Sequence, residues 1–490
     1  MHRSSRAVAS LALTLAGLLS CANSASAQYP PPTTQQTQAG TPAAVAPPAY
    51  TPVRWNENYA YLKDASKRTD FWDPFKYVAI GDDSYVSLGG QARYRYEWFD
   101  ENNFGGGPQD DDGYHLTRTM LHAGLHVGEY LRGFVQGISA FGFDRDGGDR
   151  PQDEDELDLH QGFLDVKVPV GDTASVTVRG GRQNLLYGAQ RLISPLDWSN
   201  VRRTFDGGKI MIVCPDNQLD LFVVQPVVVD EDEFNDNDND TVFAGAYDTL
   251  NLPNFLGKSA NSKLEAYLLY LDKDTNATVL TESETWTVGA RLSSNPKPWD
   301  FDVELDYQFG EVGDDIDISA WSVALEGGYT FADATFAPRV YLGFDIASGD
   351  DEPADGDFDR FNQLFPLGHA YFGYIDVVGR QNIIDLHPGV QFKFSKSLNL
   401  RIDYHLFWRE SEDDGLFDAG GALLLADNGT DDRFIGSELD LLLNWQVDRH
   451  LLAYLGYSHF FAGDFGDDFG SATGADEDID FVYAALVYTF

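Results

Sequence analysis

After residue 27 no run in this sequence approaches the roughly 20 apolar residues that a membrane-spanning helix requires, yet apolar and polar side chains alternate in one segment after another. The last segment is the clearest: Val482, Ala484, Leu486, Tyr488 and Phe490 fall on one face of a strand that ends on an aromatic. The first begins at Ser84, with Val86, Leu88, Ala92, Tyr94, Tyr96 and Trp98 on one face and Gln91, Arg93, Arg95 and Glu97 on the other. A strand between lipid and a watery lumen must alternate in this way. An edge strand of a soluble β domain alternates too, and what separates the two is repetition along the chain.

Eighteen such segments are read between Ser84 and Phe490, among them 335–346 and 398–410. Most reach the roughly 9 to 11 residues that a tilted strand needs to cross a bilayer. Short connections such as 128–129, 169–173 and 395–397 alternate with long ones such as 99–113, 144–155, 184–205, 347–380 and 410–432, as periplasmic turns and external loops should. The expected fold is all-β, an antiparallel transmembrane barrel of about 18 strands of the outer-membrane type. Aromatics at 13% and 47 Gly against 3 Met agree with strands joined by tight turns.

Ahead of the barrel the chain divides into three. Residues 1–27 read as a signal peptide, because Arg3 and Arg6 precede an apolar run at 7–19 and Ala25-Ser26-Ala27 suits cleavage. Cys21 is either removed with that signal or is a lipidation site. Residues 28–55, rich in Pro, Thr, Ala and Gln, are expected to be a flexible periplasmic lead, followed by a short periplasmic segment at 56–83 and the barrel at 84–490. This order places the protein in the outer membrane of a bacterium. Its partners are then lipid and, through the aromatic end of the last strand, the barrel-insertion machinery.

The formal charge of −44 disfavours nucleic acid, which needs a basic face. Much of the acid lies in the long connections, for example Asp110-Asp111-Asp112 and the run from Asp230 to Asp240. These are a solvated surface or, alternatively, a place for Ca2+ to bridge loops to lipid headgroups. The stretch Asp236-Asn237-Asp238-Asn239-Asp240 is not an EF-hand, since Thr241 stands where the turn glycine belongs.

Inward-facing charges are the informative set, because an ionisable group at membrane depth marks a water-filled path. Alternation puts Arg93, Arg95, Arg118, Arg132, Arg291, Arg339, Arg401 and Arg409 inside, along with His122, His126 and His405. These arginines line a path for an anion, or they pair across the lumen with the inward carboxylates of Glu97, Asp158, Glu265, Asp302, Glu304, Asp306, Glu326, Asp345, Asp385, Asp403, Glu438 and Asp440 and brace the wall. His122 and His126 share a face but stand about 13 Å apart at the strand rise, too far for one metal ion. No metal-ligating set, cofactor site or catalytic constellation is assigned, and an enzyme is not expected.

Residues 182–208 are too polar and too rich in arginine to face lipid. They read as a strand end and then a loop that either folds into or over the lumen or packs outside it. Within it, Arg182-Gln183, Tyr187-Gly188, Arg191-Leu192, Trp198-Ser199-Asn200 and Arg203-Thr204-Phe205-Asp206-Gly207 follow a pattern that resembles the alginate export family. Leu88-Gly89-Gly90-Gln91-Ala92-Arg93, His387-Pro388-Gly389, Gly436-Ser437-Glu438-Leu439-Asp440 and Gly456-Tyr457-Ser458-His459 agree with it, so the resemblance covers nearly all of the chain after the signal. It implies an eighteen-stranded barrel with an arginine-lined pore, in which Arg182, Arg191, Trp198, Asn200, Arg203 and Asp206 belong to a pore loop. The function expected is a channel for an anionic polysaccharide or oligosaccharide, alginate-like, without its own energy source. A general small-solute porin and a non-conducting surface protein with cation-binding loops are the alternatives.

Overall fold

The computed structural model describes residues 50–490 except 107, 149, 232, 254, 258–259, 275–280, 314, 353–354 and 468–476. The signal peptide, Cys21 and the lead as far as residue 49 lie outside the described residues. Eighteen strands form the wall: β1 (Ser84–Asp100), β2 (Tyr114–Val127), β3 (Leu131–Phe143), β4 (Asp155–Val170), β5 (Ala174–Gln183), β6 (Phe205–Val213), β7 (Asn217–Val228), β8 (Thr241–Asn251), β9 (Lys263–Lys273), β10 (Ser283–Ser294), β11 (Trp299–Val312), β12 (Ile316–Thr330), β13 (Arg339–Ala347), β14 (Ile383–Lys393), β15 (Leu398–Trp408), β16 (Phe434–Gln446), β17 (Leu451–Ala462) and β18 (Ile479–Thr489). Each pairs antiparallel with the next, and β18 returns to β1 in the register Gln91↔Thr489 to Asp100↔Asp480. Closure removes the unpaired edge, which no strand can present to hydrocarbon.

Most boundaries fall within a few residues of the alternation pattern, and two of the shifts have clear local reasons. The strand read from 335 starts at Arg339, because Phe336 and Ala337 take positive φ and Pro338 has no N–H to give to the ladder. The strand read to 410 stops at Trp408, where the Arg409 side chain turns to tie its own loop.

Burial follows membrane logic rather than that of a soluble protein. Leu121, Val135, Leu164, Leu305, Leu342, Leu455 and Leu486 are exposed on the outside, where lipid covers them, while Arg93, Arg95, Arg118, Glu304 and Asp403 are buried within. Trp299, Phe331, Phe336, Phe394, Trp445 and Tyr488 are exposed at the ends of strands next to the short turns, as an interfacial aromatic girdle. That rim also carries both ends of the barrel chain and is the periplasmic one.

The interior is not open along its length. Residues 184–204 and 355–382 fold inward from the external end, and an apolar cluster that includes Leu192, Ile193, Phe205, Phe243, Phe361, Phe372 and Val378 sits inside the wall. The segment from Tyr50 onward enters from the periplasmic end, so packing begins ahead of residue 56. A short strand, Val78–Gly81, joins it to β1.

Candidate functional site

Three arginines on β1 and β2 hold residues 197–200 against the wall. Arg93 donates to the carbonyls of Asp197 (2.9 Å), Trp198 (3.2 Å) and Ser199 (2.9 Å) and to Asn200 Oδ1 (3.2 Å). Arg118 donates to the Asp197 carboxylate at 2.9 Å and to the Ser199 carbonyl at 3.0 Å. Arg95 reaches the Trp198 carbonyl at 2.6 Å, lies 3.9 Å over the Trp198 ring and pairs with Glu97 at 2.5 Å. Asn200 completes the anchor, donating to the carbonyls of Thr117 (3.0 Å), Phe141 (3.3 Å) and Asp153 (2.7 Å). Burial alone would raise the Asp197 carboxyl, but Arg202, Arg118 and Arg93 around it hold it down at about 2. The loop is therefore drawn in by positive side chains that find carbonyl oxygens as well as carboxylates.

The second loop meets the first inside the lumen. Ile193 and Phe365 form a parallel bridge, Ser194 N and Phe365 N donate to the carbonyls of Phe365 and Leu192 at 2.9 Å each, and Leu367 N donates to Gln190 at 2.9 Å. The His369 ring stacks on Trp198 at 3.5 Å. Glu438 on β16 accepts from the backbone of Tyr374 (2.6 Å) and Ile375 (3.0 Å), and Arg380 pairs with Asp345 at 2.7 Å. The other residues of the pore-loop pattern are tied to the wall or to this second loop. Arg182 forks Asp206 (2.9 Å twice), Arg191 joins Asp302 and Glu304 (2.8 Å each), and Arg203 donates to the Pro366 carbonyl at 3.2 Å. Of the two placements read for 184–205, the inward one is the one observed.

Six of the eight wall arginines are ion-paired: Arg95, Arg118, Arg291 with Glu265 and Asp302, Arg339 with Asp300 and Glu326, Arg401 with Asp403, and Arg409 with Asp427. Arg409 also donates to the carbonyls of Glu412, Asp414, Thr430 and Asp432 and closes the loop at 409–433 instead of facing a solute path. Arg132 lies 5.6 Å from the Trp55 ring, beside Arg179, which packs on the same ring at 3.8 Å. Arg339 and Arg401 both keep access to the lumen. Their side chains are 20% and 33% exposed, and with Tyr341, Gln391 and Glu326 they line a polar cavity of about 90 Å³. Arg401 Nε donates to Tyr341 Oη at 2.9 Å, which fixes both groups at its wall.

Two groupings were invisible to alternation. In the periplasmic mouth, Arg54 donates to the carbonyls of Gly90 (3.0 Å) and Phe490 (2.8 Å), and Trp72 stacks on Phe490 at 4.2 Å while donating to Tyr488 Oη at 2.9 Å. Arg202 donates to the Pro52 carbonyl at 3.1 Å, so this segment reaches the inward loop. Lys76 is buried with no hydrogen-bond partner, its ammonium 5.5 and 5.2 Å from the rings of Tyr50 and Tyr59. Burial, reinforced by Arg54, pushes its pKa down to about 7. The second grouping joins Asp385, His387 and His405, which share no sequence motif because two neighbouring strands supply them. In the external run, Asp238 caps its own turn through Asp240 N and Thr241 Oγ1.

A family model described as alginate export matches residues 84–478. Among solved structures, the barrel is similar to Pseudomonas aeruginosa OccD3 (OpdP), with a TM-score of 0.55 at 10% identity over 84% of this chain and 92% of that one. It is similar to OpdO from the same organism at 0.54 and 14%, covering 85% and 98%, and to OpdK with vanillate at 0.54 and 11%, covering 84% and 99%. At these identities the likeness is one of fold. No curated protein matches the chain.

Proposed function

The chain belongs to the alginate export family and is a bacterial outer-membrane channel, and from that premise we propose that its solute is an anionic saccharide, oligomeric rather than polymeric, guided by lumen arginines. The observation that carries the reading is the polar cavity that Arg339 and Arg401 line together with Tyr341, Gln391 and Glu326. A uronate offers a carboxylate to such a pair and hydroxyls to Tyr341 and Gln391. Two loops joined across the lumen favour a short solute over a continuous chain. The description of OpdK with vanillate, itself a small carboxylate, is consistent with this size and charge. The acidic external loops oppose an incoming anion only weakly, because exposed charges are screened beyond a Debye length of about 8 Å at physiological salt. No energy-coupling segment is proposed, so passage runs down the solute's gradient.

Planar-bilayer conductance of the purified protein tests this. Uronate oligomers should block the current in a concentration-dependent way, and Arg339→Gln with Arg401→Gln should weaken the block about tenfold or more, the worth of one charge-assisted contact. Conductance that ignores the oligomers would favour a general small-solute porin. Absence of any conductance would favour a surface protein.

A further inference from the structure

We propose that Asp385, His387 and His405 form a transition-metal site in the barrel wall, of the class filled by Zn2+. Asp385 and His387 lie two residues apart on β14 and so point to the same side. The pairing of Asp385 with Phe407 sets His405 of β15 opposite His387. The two imidazoles stack at 4.7 Å, and their Nδ1 atoms lie 2.8 and 2.9 Å from one carboxylate oxygen, Asp385 Oδ2. Gly343 on β13 faces His387, and a Cβ there would fall 2.0 Å from its Nε2, so the glycine is what leaves room for the ring.

The same contacts describe two imidazole N–H groups donating to one aspartate. Around that arrangement stand further carboxylate oxygens positioned to support a cation. Asp385 is fully buried, and its second oxygen, Oδ1, has no hydrogen-bond partner. Asp440 is likewise buried, is hydrogen-bonded to Glu438 and Ser458, and places Oδ2 3.8 Å from His405 Nε2, on the far side of the ring from Asp385. A carboxylate facing the outer nitrogen of a histidine whose other nitrogen points at a common centre is the support that metal-bound imidazoles use. Two imidazoles and a carboxylate select a borderline cation such as Zn2+ or Co2+ over Ca2+ or Mg2+. Donors around tetrahedral Zn2+ stand about 3.3 Å apart, so the aspartate oxygen and the two nitrogens need to spread by about 0.4 Å.

Untagged full-length protein in detergent, stripped with chelator and then given Zn2+, should retain one Zn2+ per chain after gel filtration. His387→Gln and His405→Gln should each weaken binding at least about 100-fold and Asp440→Asn about tenfold. His126→Gln, on another part of the wall, should change nothing. Heat-modified gel mobility shows whether each variant has assembled. If the histidine variants fail to assemble, X-ray absorption of the Zn2+-loaded natural protein decides instead: scattering from two imidazoles supports the site, and an oxygen-only shell overturns it. No retained Zn2+, or equal retention in both assembled histidine variants, overturns it as well.

Discussion

Arg93 shows how far one side chain's position determines its role. Alternation placed it inside, and it is inside, but its acceptors are three main-chain carbonyls and an amide from a loop that arrives from the external end. No pattern in the strand announces a carbonyl partner, because every residue has one. Arg93→Ala should therefore free residues 197–200, since each charge-assisted bond contributes about 1.5–3 kcal/mol. The expected signs are a larger unitary conductance and faster proteolysis within 184–204; an unchanged conductance would show that Arg95, Arg118 and Asn200 hold the loop without it. Lys76 supports a second prediction, with a definite sign. An exposed lysine titrates near 10.5, and docked Lys76 near 7. Below pH 7 the ammonium is charged whether the segment is docked or free, and docking bears the whole cost of burying it. From pH 7 towards 10 docking releases the proton, so the docked form gains stability as pH rises. Cleavage within 56–77 should slow between pH 6 and pH 9 in the natural protein and be slow and flat in Lys76→Met. A flat natural profile would mean that some other group offsets the lysine.

Strands and loops differed in how much of them could be read beforehand. Each wall strand has lipid on one side and a polar interior on the other, and that contrast imprints a repeat of two on its own residues. All eighteen were legible for this reason, and two of the ends that shifted lie where Pro338 and Arg409 impose local geometry. Inward folding of a loop has no such imprint. The Ile193–Phe365 bridge and the Trp198–His369 stack depend on two segments far apart in sequence meeting at one height, which neither segment encodes alone. The histidine and aspartate grouping failed to declare itself for a related reason, needing the β14–β15 register as well as both strands. The last strand supports a prediction of its own. Phe490 is stacked on Trp72, and Tyr488 accepts a hydrogen bond from it, so the aromatic end serves as an interfacial anchor and as a dock. Deleting Phe490 should lower the amount of heat-modifiable barrel in the outer membrane, and Trp72→Ala should lower it less; full insertion of both would remove this role.

For the molecule entire, closure of β1 on β18 with both ends at one rim fixes which surfaces each compartment sees. Protease added to intact cells should cut within 230–240, where Asp236 and Asp240 are exposed, and spare the segment at 50–83. The reverse pattern would invert the topology. The formal charge of −44, much of it in the external loops, coexists with an interior in which most wall arginines are paired with carboxylates, so the net charge does not describe the passage within. The contact of Arg54 with both Gly90 and Phe490 spans the seam where the first and last wall strands meet. Glu57 holds the same guanidinium from its own segment at 2.7 Å, so Arg54 fastens the periplasmic segment to both sides of the seam at once. The seam is thereby latched from within the barrel mouth as well as by its own ladder, which couples docking of the periplasmic segment to closure of the wall.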